Sequence, residues 1–290
     1  MKVLVCLDRD PLYEALLSAL TWCLPLSARD HVLVGHAIAP LRWMPGWAET
    51  ERDIFERVDD FLAQTAERIE QAGIPAEPLR LEGDVATELL KAAEDRDVDL
   101  VALGAVGQAR SQDFLVGSVS EKVASLVPRD VLLVRAAEPR AGGGFRALLA
   151  VDGSDASLEA VESFAVKTRA SEAVIEVLHV IEAPPLTWDM DPDLTGEPPV
   201  SDPPALRERA DHALARSTET LAARGLTAKT TLRRGMATAE ILDEARTFEA
   251  DLIVLGARGV QSRLPKPWRG TVARRVARHA DCSVLIAAPA

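Results

Sequence analysis

Asp99-Leu100-Val101-Ala102-Leu103 is a short apolar stretch followed by Gly104, Gly107 and the sequence Gly117-Ser118-Val119-Ser120. This order predicts a strand, a glycine loop and the start of a helix, after which Val131–Val134 forms another strand. Glycines just past a strand let the backbone approach a ligand without interference from a Cβ atom. The free N–H groups at a helix start, with the helix dipole behind them, form an anion site. A phosphate chain is the natural occupant of such a site.

The helix start also has an explanation that needs no ligand. Ser118 and Glu121 fit a capping box, S-x-x-E, in which the two residues satisfy each other's backbone N–H groups. A recurrence favours the phosphate loop, because the apolar stretch Asp251–Leu255 is followed by a similar glycine pattern. The second pattern consists of Gly256, Gly259, Gly270 and Thr271. Two copies indicate a repeated architecture.

The repeat extends through the whole chain. Gly104 and Gly256 are offset by 152 residues, whereas Asp8 and Asp152, each at the end of a first strand, are offset by 144. The second half therefore has eight more residues between its first and third strands, where it carries a proline-rich loop. Apolar strand patterns alternate with amphipathic helix patterns in both halves, which is typical of parallel sheets.

The predicted fold class is α/β, with two tandem Rossmann-like domains, each a five-stranded parallel sheet with helices on both faces. We expect the first domain to span residues 1–138 and the second 145–290. Residues 139–144, which include three consecutive glycines, are the predicted linker. Ligands in such sheets bind beyond the carboxyl ends of the strands.

Composition narrows the function classes. The chain has 290 residues, 48% of them hydrophobic, and a formal net charge of −12, which argues against nucleic acid and anionic membranes as partners. No apolar run approaches the roughly 20 residues of a membrane span. Cys6, Cys23 and Cys282 have no paired spacing, so neither a disulfide framework nor a zinc site is predicted. We expect a cytoplasmic protein.

Other nucleotide and catalytic motifs are missing from the sequence. No glycine is followed by the lysine of a P-loop, and neither first strand leads into G-x-G-x-x-G. Asp152-Gly153-Ser154 lacks the G-x-S-x-G of a serine nucleophile, so Ser154 is predicted to be a helix cap. His36 and His179 lie in predicted buried strands and are interpreted as core residues. The spacings predict no metal site.

These residues resemble the universal stress protein family, whose nucleotide-binding members carry G-x2-G-x9-G-[ST] after the fourth strand. The first half matches this pattern in residue type and spacing, and Leu178-His179-Val180 in a second strand adds to the resemblance. The resemblance covers essentially the whole chain twice, which implies a tandem member with two fused domains. The matching residues are Gly104, Gly107, Gly117, Ser118 and Ser120.

The resemblance implies a set of nucleotide-binding residues. The aspartate ending the first strand lies beside adenosine, the residue after the second-strand histidine contacts adenine through its backbone, and the glycine loop holds ribose and phosphates. In the first half these residues are Asp8, Ala37, Gly104, Gly107, Gly117, Ser118 and Ser120. In the second half they are Asp152, Val180, Gly256, Gly259, Gly270 and Thr271.

Each half departs from the family pattern in its own way. The first half has Arg9 and Asp10 where the family often has glycine and serine, whereas the second keeps Gly153 and Ser154. The second loop has ten residues between its last two glycines instead of nine, and it carries prolines. One inserted residue displaces a helix start by a few ångströms, about the rise of one extended residue. We therefore expect the first half to be the tighter site.

The resemblance implies ATP, alone or with Mg²⁺, as the ligand, and a nucleotide-responsive regulatory role in stress tolerance. It also implies edge pairing of the last strands, Val131–Val134 with Val284–Ile286, and a homodimer of two chains. Two alternatives stay open, namely a weak ATPase or autophosphorylating enzyme, and a partner-binding stress protein with vestigial sites. We expect no dedicated catalytic activity and at most slow ATP hydrolysis, since no residue stands out as a general base or metal ligand.

Overall fold

The computed structural model describes residues 1–7, 17, 24, 26–38, 48–105, 117–135, 144–168, 173–182, 204–257 and 271–288. The first half contains β1 (Lys2–Cys6), β2 (His31–Ile38), α1 (Ala48–Gln71), β3 (Ala76–Glu82), α2 (Val85–Asp95), β4 (Leu100–Gly104), α3 (Ser118–Leu126) and β5 (Asp130–Val134). The second half contains β6 (Arg146–Val151), α4 (Asp155–Lys167), β7 (Val174–Ile181), α5 (Pro204–Ala222), β8 (Ala228–Arg234), α6 (Ala237–Thr247), β9 (Leu252–Gly256), α7 (Thr271–His279) and β10 (Ser283–Ala287). Of the predicted linker, only Gly144 lies within the described residues.

The ten strands form one sheet in the order β3-β2-β1-β4-β5-β10-β9-β6-β7-β8. Within each half all neighbours are parallel, and only β5 and β10 pair antiparallel. The predicted fold class is thereby confirmed, because each half supplies a five-stranded parallel sheet in the order of a doubly wound fold. The predicted edge pairing of the two last strands is confirmed as well.

Helices cover both faces of the sheet, and alternate strand residues point to opposite faces. Val3 and Val5 belong to the core cluster beneath α1, α4 and α5, whereas Leu4 belongs to the cluster beneath α2, α3, α6 and α7. All three side chains are fully buried. Because the strands are buried on both faces, they appear in the sequence as nearly continuous apolar runs.

The two halves are related by a pseudo-two-fold axis at the β5–β10 pair. Leu132 lies opposite Leu285, and these two residues are offset by 153, which is the same offset that relates Ser118 to Thr271. A pair of hydrogen bonds follows the same symmetry. The N–H of Arg135 donates to Ser283 Oγ at 3.2 Å, and the N–H of Ala288 donates to Asp130 Oδ1 at 2.8 Å.

Side chains at this junction are less symmetric than the backbone. Arg135 is only 8% exposed, and its Nη2 donates to the carbonyl of Ala277 at 3.0 Å, near the C-terminus of α7. A cation at this end of a helix is favoured by the helix dipole. On the other face, Lys167 of α4 forms an ion pair with buried Asp130 at 2.9 Å, and Ser163 donates to the same carboxylate. Both contacts tie the halves together through buried polar groups.

Candidate functional site

The sheet order creates one crevice in each half where ligands of this fold class bind. In the first half β1 is flanked by β2 and β4, whose chain connections lead in opposite directions, and β6 has the same position between β7 and β9. The carboxyl ends of these strands lie beside each other, since Cys6 pairs with both Gly35 and Leu103. Each switch point is therefore a candidate ligand site.

Gly104 ends β4 at the first crevice, and the start of α3 is held directly against it. The Ser120 hydroxyl donates to the Gly104 carbonyl at 2.8 Å, and the N–H of Gly117 donates to the Ala105 carbonyl at 2.9 Å. Ser120 is buried, so its hydroxyl serves a structural purpose in this conformation. Gly104, Gly117 and Ser120 of the glycine motif thus lie next to one another in the structure.

The capping-box interpretation of Ser118 and Glu121 is wrong. Gly117 occupies the N-cap position, as its carbonyl accepts the first helical bond, from the N–H of Glu121, at 2.9 Å. No side chain caps this helix within the described residues. The Glu121 carboxylate turns across the pseudo-two-fold axis and accepts from Nη2 of Arg278 at 2.9 and 3.3 Å. Among the described residues, the first-turn N–H groups of α3 therefore have neither an intrahelical nor a side-chain acceptor.

Other predicted first-half residues are only partly described. Ala37 lies near the end of β2 and is half-buried, at a position suited to backbone contact with a ligand in the crevice. Asp8 and Gly107 lie outside the described residues, as do Arg9, Asp10 and most of the glycine loop. Ser118 begins α3, and its assignment to the nucleotide stays a prediction, like that of the other first-half residues.

In the second half, Asp152 and Ser154 form a local turn at the end of β6. Oδ1 of Asp152 accepts from the Ser154 N–H at 3.0 Å and from the Ser154 hydroxyl at 2.5 Å. Ser154 in turn accepts from the N–H of Ser157 and caps α4, as predicted. Gly153 has φ +80°, a conformation that favours glycine. Asp152 itself is exposed at the end of β6.

Gly256 has a packing role that its position in the motif did not reveal. A Cβ atom built on this residue would lie 2.6 Å from the carbonyl oxygen of Ala156 and 3.0 Å from the N atom of Ser157. The first turn of α4 therefore approaches the end of β9 too closely for any side chain. Glycine is required here by helix–strand packing, whether or not a ligand binds.

His179 and Val180 lie near the end of β7, next to Asp152. Burial lowers the pKa of His179, while the Asp152 carboxylate and the Val151 carbonyl act in the opposite direction. Nδ1 of His179 has no hydrogen bond of good geometry among the described residues, although the Val151 carbonyl is close. In the first half, Nδ1 of His36 is 2.6 Å from the corresponding carbonyl, that of Leu7. Nδ1 of His36 therefore has a hydrogen-bond partner, whereas the His179 ring is kept in place mainly by the packing around it.

The remaining second-half loop is only described at its end. Thr271 is exposed and begins α7. Gly259 and Gly270 lie outside the described residues, together with the arginines and lysine of the loop between them. The assignments of Asp152, Val180, Gly256 and Thr271 to a nucleotide stay predictions.

Two features of the site region were not apparent from the sequence. Asp84 caps α2 and pairs with Lys122 of α3 at 3.0 Å, and its hydrogen bonds with Thr87 lower its pKa to about 2. At the corresponding place in the second half stands Met236, which is 68% exposed and caps nothing. The other feature is Arg135, because an arginine after an apolar strand carries no pattern that predicts a buried inter-half contact.

The described part of the chain offers neither a metal-binding group nor a membrane-spanning helix. There, no group of three or more His, Cys, Asp or Glu residues could hold a metal ion. None of the described helices has the length and apolar character needed to cross a membrane. Cys6 and Cys282 are free thiols, and burial raises the pKa of Cys282 to about 12.

Comparison with known proteins identifies the family. The model of the universal stress protein family matches residues 1–135 and again 145–288, so the chain is a tandem member of that family. A universal stress protein of Methanocaldococcus jannaschii is 27% identical over 146 residues, which are 48% of this chain and 79% of that protein. One from Thermus aquaticus is 33% identical over 105 residues, or 36% of this chain and 77% of the relative.

The fold comparison covers both halves at once. The crystal structure of a universal stress protein from Archaeoglobus fulgidus superimposes with a TM-score of 0.70 at 22% identity, covering 99% of this chain and 97% of that one. A Pseudomonas aeruginosa protein described as a putative universal stress protein gives a TM-score of 0.62 at 16% identity, with coverage of 99% and 92%. At these identities the comparisons establish a shared fold.

Proposed function

We propose that the chain is a nucleotide-responsive regulatory protein that binds ATP in the first-half crevice. The observation that carries this proposal is the N-terminus of α3, which no described side chain caps and which lies against the end of β4 at the sheet's switch point. Helix N-termini with free N–H groups favour phosphate. The nine-residue glycine spacing that leads into this helix start matches the nucleotide-binding pattern of the family.

The proposed contacts follow the strand ends. Asp8 and the backbone of Ala37 would receive the adenosine, whereas Gly104 and Gly107 would let the chain approach the ribose. Gly117, Ser118 and the first-turn N–H groups of α3 would receive the phosphates. In the second half, Asp152, Val180, Gly256, Gly259, Gly270 and Thr271 would provide a weaker site of the same kind.

The proposed ligand is bound without being consumed. We base this on the sequence, in which no residue stands out as a general base for ATP hydrolysis. Mg²⁺ is commonly held by one or two carboxylates together with nucleotide phosphates and water, so it would arrive with ATP.

Two further functions are separated from this one by simple measurements. Slow ATP hydrolysis or phosphate transfer to the chain would identify a weak ATPase or an autophosphorylating enzyme. Sites that are empty after purification and do not bind ATP in calorimetry would identify a partner-binding protein with vestigial sites. Occupied sites without turnover support the regulatory function.

A matched pair of glycine variants tests the proposal. Gly117→Glu places a Cβ atom and a carboxylate where phosphate and backbone meet, so ATP affinity in isothermal titration calorimetry should fall at least tenfold, about 1.4 kcal/mol. The control Gly144→Glu adds the same charge before β6, away from the strand carboxyl ends, and should bind as the unmodified chain does. Unchanged affinity in Gly117→Glu, with circular dichroism showing a retained fold, would exclude the phosphate-loop function. Mass spectrometry of ligand released from denatured protein identifies the nucleotide directly.

Assembly and location form part of the same proposal. The β5 and β10 edges pair inside one chain, so we place the contact of the proposed homodimer on another surface. Light scattering that shows a monomer at every concentration would exclude the proposed homodimer. The free thiols of Cys6 and Cys282 suit a reducing compartment, consistent with the proposed cytoplasmic location.

A further inference from the structure

The two ends of the ten-stranded sheet are edges of different character. β3 lies at one end and β8 at the other, and among the described residues each of them pairs with one neighbouring strand only. The two strands are counterparts with an offset of 152 residues, as are Gly83 and Gly235, which follow them. An edge strand presents unpaired N–H and C=O groups, which can pair with a strand of another chain.

The backbone register identifies which residues direct these groups away from the sheet. The N–H of Gly235 donates to the Ile181 carbonyl of β7 at 3.1 Å, so the odd-numbered residues of β8 bond to β7. Successive residues of a strand alternate between its two sides, so the even-numbered residues face outward. In β8 these are Ala228, Thr230, Leu232 and Arg234. In β3, where the N–H of Gly83 donates to Ile38 at 2.9 Å, they are Ala76, Pro78, Arg80 and Glu82.

Pro78 closes the β3 edge to pairing with another chain. Proline has no N–H, and within sheets it is found on edge strands with that position facing solvent. Arg80 and Glu82 lie further along the same edge and form an ion pair at 3.1 Å. Proline and charged side chains are the usual protection of an edge strand. The first-half edge is therefore built to end the sheet.

The β8 edge lacks this protection at the matching positions. Exposed Thr230 stands where β3 has Pro78, and it keeps its N–H. Half-buried Leu232 stands where β3 has Arg80. The outward donors and acceptors are thus continuous along β8, and an aliphatic side chain lies among them.

Two cations of β8 point to the face covered by α6, and carboxylates of the same chain neutralise both. Lys229 forms an ion pair with buried Glu176 at 3.5 Å. Arg233 pairs with three carboxylates of α6, those of Glu240, Asp243 and Glu244. These cations therefore do not exclude a second strand from the edge, provided that they do not lie directly opposite other cations.

We propose that β8 pairs antiparallel with β8 of a second copy of this chain, about a two-fold axis at Thr230. This contact is the interface of the homodimer put forward above, so the inference rests on that part of the proposed function and not on ATP binding. A two-fold interface is isologous, which means that one strand supplies both partners. Three residue pairs would exchange two hydrogen bonds each, about six in all.

The side chains favour this register over its neighbour. With the axis at Thr230, Ala228 lies opposite the partner's Leu232, which pairs two half-buried apolar side chains. Lys229 then lies opposite the partner's Thr231. An axis at Thr231 would place Lys229 opposite the partner's Arg233, and like charges directly opposite each other destabilise a strand pair.

Sedimentation equilibrium of the full chain, whose monomer mass is 31.2 kDa, measures the dimer dissociation constant. Thr230→Pro removes the central outward N–H, so this constant should rise about tenfold or more. The fold accommodates proline at this position, because Pro78 occupies it in β3. The control Thr230→Val keeps both the N–H and a β-branched side chain, and it should dimerise as wild type does.

Amide hydrogen exchange shows where the contact lies. In wild type the N–H groups of Thr230 and Leu232 should exchange about tenfold more slowly in a concentrated than in a dilute sample. The outward N–H of Arg80, at the other edge, should exchange at a rate that does not depend on concentration. In Thr230→Pro the concentration dependence at Leu232 should disappear.

The possible failures can be told apart. A wild-type chain that is monomeric at every concentration would overturn both the homodimer and the β8 contact. A wild-type dimer that Thr230→Pro leaves equally tight, or whose Thr230 and Leu232 amides exchange at one rate at all concentrations, would overturn the β8 contact alone. If circular dichroism shows that Thr230→Pro does not fold, Leu232→Arg replaces it, since this variant copies Arg80 of β3 and keeps the N–H. It should weaken the dimer, and an unchanged dissociation constant would contradict the inference.

Discussion

The two halves of this tandem chain share a backbone and differ in the side chains placed on it. At the β5–β10 junction both halves supply the same kind of hydrogen bond, but one acceptor is Ser283 and the other is Asp130. Arg135 caps α7, while Ala288, its counterpart by the 153-residue offset, has no side chain that could cap α3. In a symmetric homodimer the same surface meets its own copy and must be self-complementary. In a tandem chain each half meets only the other half, so the two surfaces can differ. The difference shows how fusion allows the two copies to diverge.

The candidate sites show the same divergence. In the first half no described side chain caps the start of α3, and the ion pair of Asp84 with Lys122 joins the neighbouring helices α2 and α3. In the second half the candidate site is ordered by the Asp152–Ser154 turn and by the close packing of Gly256 against the start of α4. The first candidate site is thus supported around the proposed phosphate end, and the second around the proposed adenosine end.

The largest expected effect concerns Gly256. Gly256→Ala places a Cβ atom 2.6 Å from the Ala156 carbonyl, so α4 must shift, and the free energy of unfolding should fall by about 3 kcal/mol. Urea denaturation monitored by circular dichroism measures the change. Because the clash involves backbone, adding Ala156→Gly should not restore stability. A Gly256→Ala chain as stable as wild type would show that this glycine is required only for ligand binding.

Removing the inter-half cap should have the next largest effect. Arg135→Ala deletes a buried guanidinium that donates to the α7 C-terminus, and we expect a loss of about 2 kcal/mol in the free energy of unfolding. The control Arg246→Ala breaks an exposed pair with Asp281, which should cost less than about 1 kcal/mol. Equal losses in the two variants would contradict a special role for Arg135.

Nucleotide titration tests which site binds more tightly. We expect Asp8→Ala to weaken the tighter ATP-binding event about tenfold, or about 1.4 kcal/mol, and Asp152→Ala to affect only the weaker one. Asp152→Asn is a useful companion, because its amide oxygen can still accept from the Ser154 N–H. If Asp152→Ala abolishes the tighter event and Asp8→Ala leaves it untouched, the ranking of the sites is reversed.

The smallest expected effect is a pH dependence from His179. Burial lowers its pKa in the folded chain, so the unfolded chain binds the proton more readily. Its contribution to stability is complete above the unfolded pKa of about 6.5 and is lost as the pH falls below that value. The loss at pH 6 should stay below about 1 kcal/mol.

Histidine variants test whether His179 causes this pH dependence of stability. Denaturation of His179→Gln across pH 5–8 should lack this decline, and His36→Gln provides the matched variant in the other half. The groups facing His179 are Asp152, the Val151 carbonyl and Arg209, and Asp152→Asn tests the contribution of the first. An identical pH profile for wild type and His179→Gln would contradict the inference.

The sequence by itself determined the α/β class, the repeat and the family. Strands buried on both faces require apolar runs, and the helices between them require a periodic apolar pattern. The loops require glycines. All of these features can be recognised in the sequence alone. The pairing of Val131–Val134 with Val284–Ile286 was also predictable, because apolar edge strands need partners. The cap at Ser154 followed from local chemistry that reaches only three residues along the chain.

Only the tertiary structure decided what depends on contacts between distant segments. Glu121 looked like the partner of Ser118, but its carboxylate meets Arg278, 157 residues away. Gly256 looked like a ligand contact, and its packing against the start of α4 appeared only when both were placed in space. The contacts of Arg135 with α7 and of Glu121 with Arg278 depend on the antiparallel register of β5 and β10, which brings residues of the two halves face to face. Local patterns cannot encode such contacts, because a side chain's partner is set by the strand pairing and not by its neighbours in sequence.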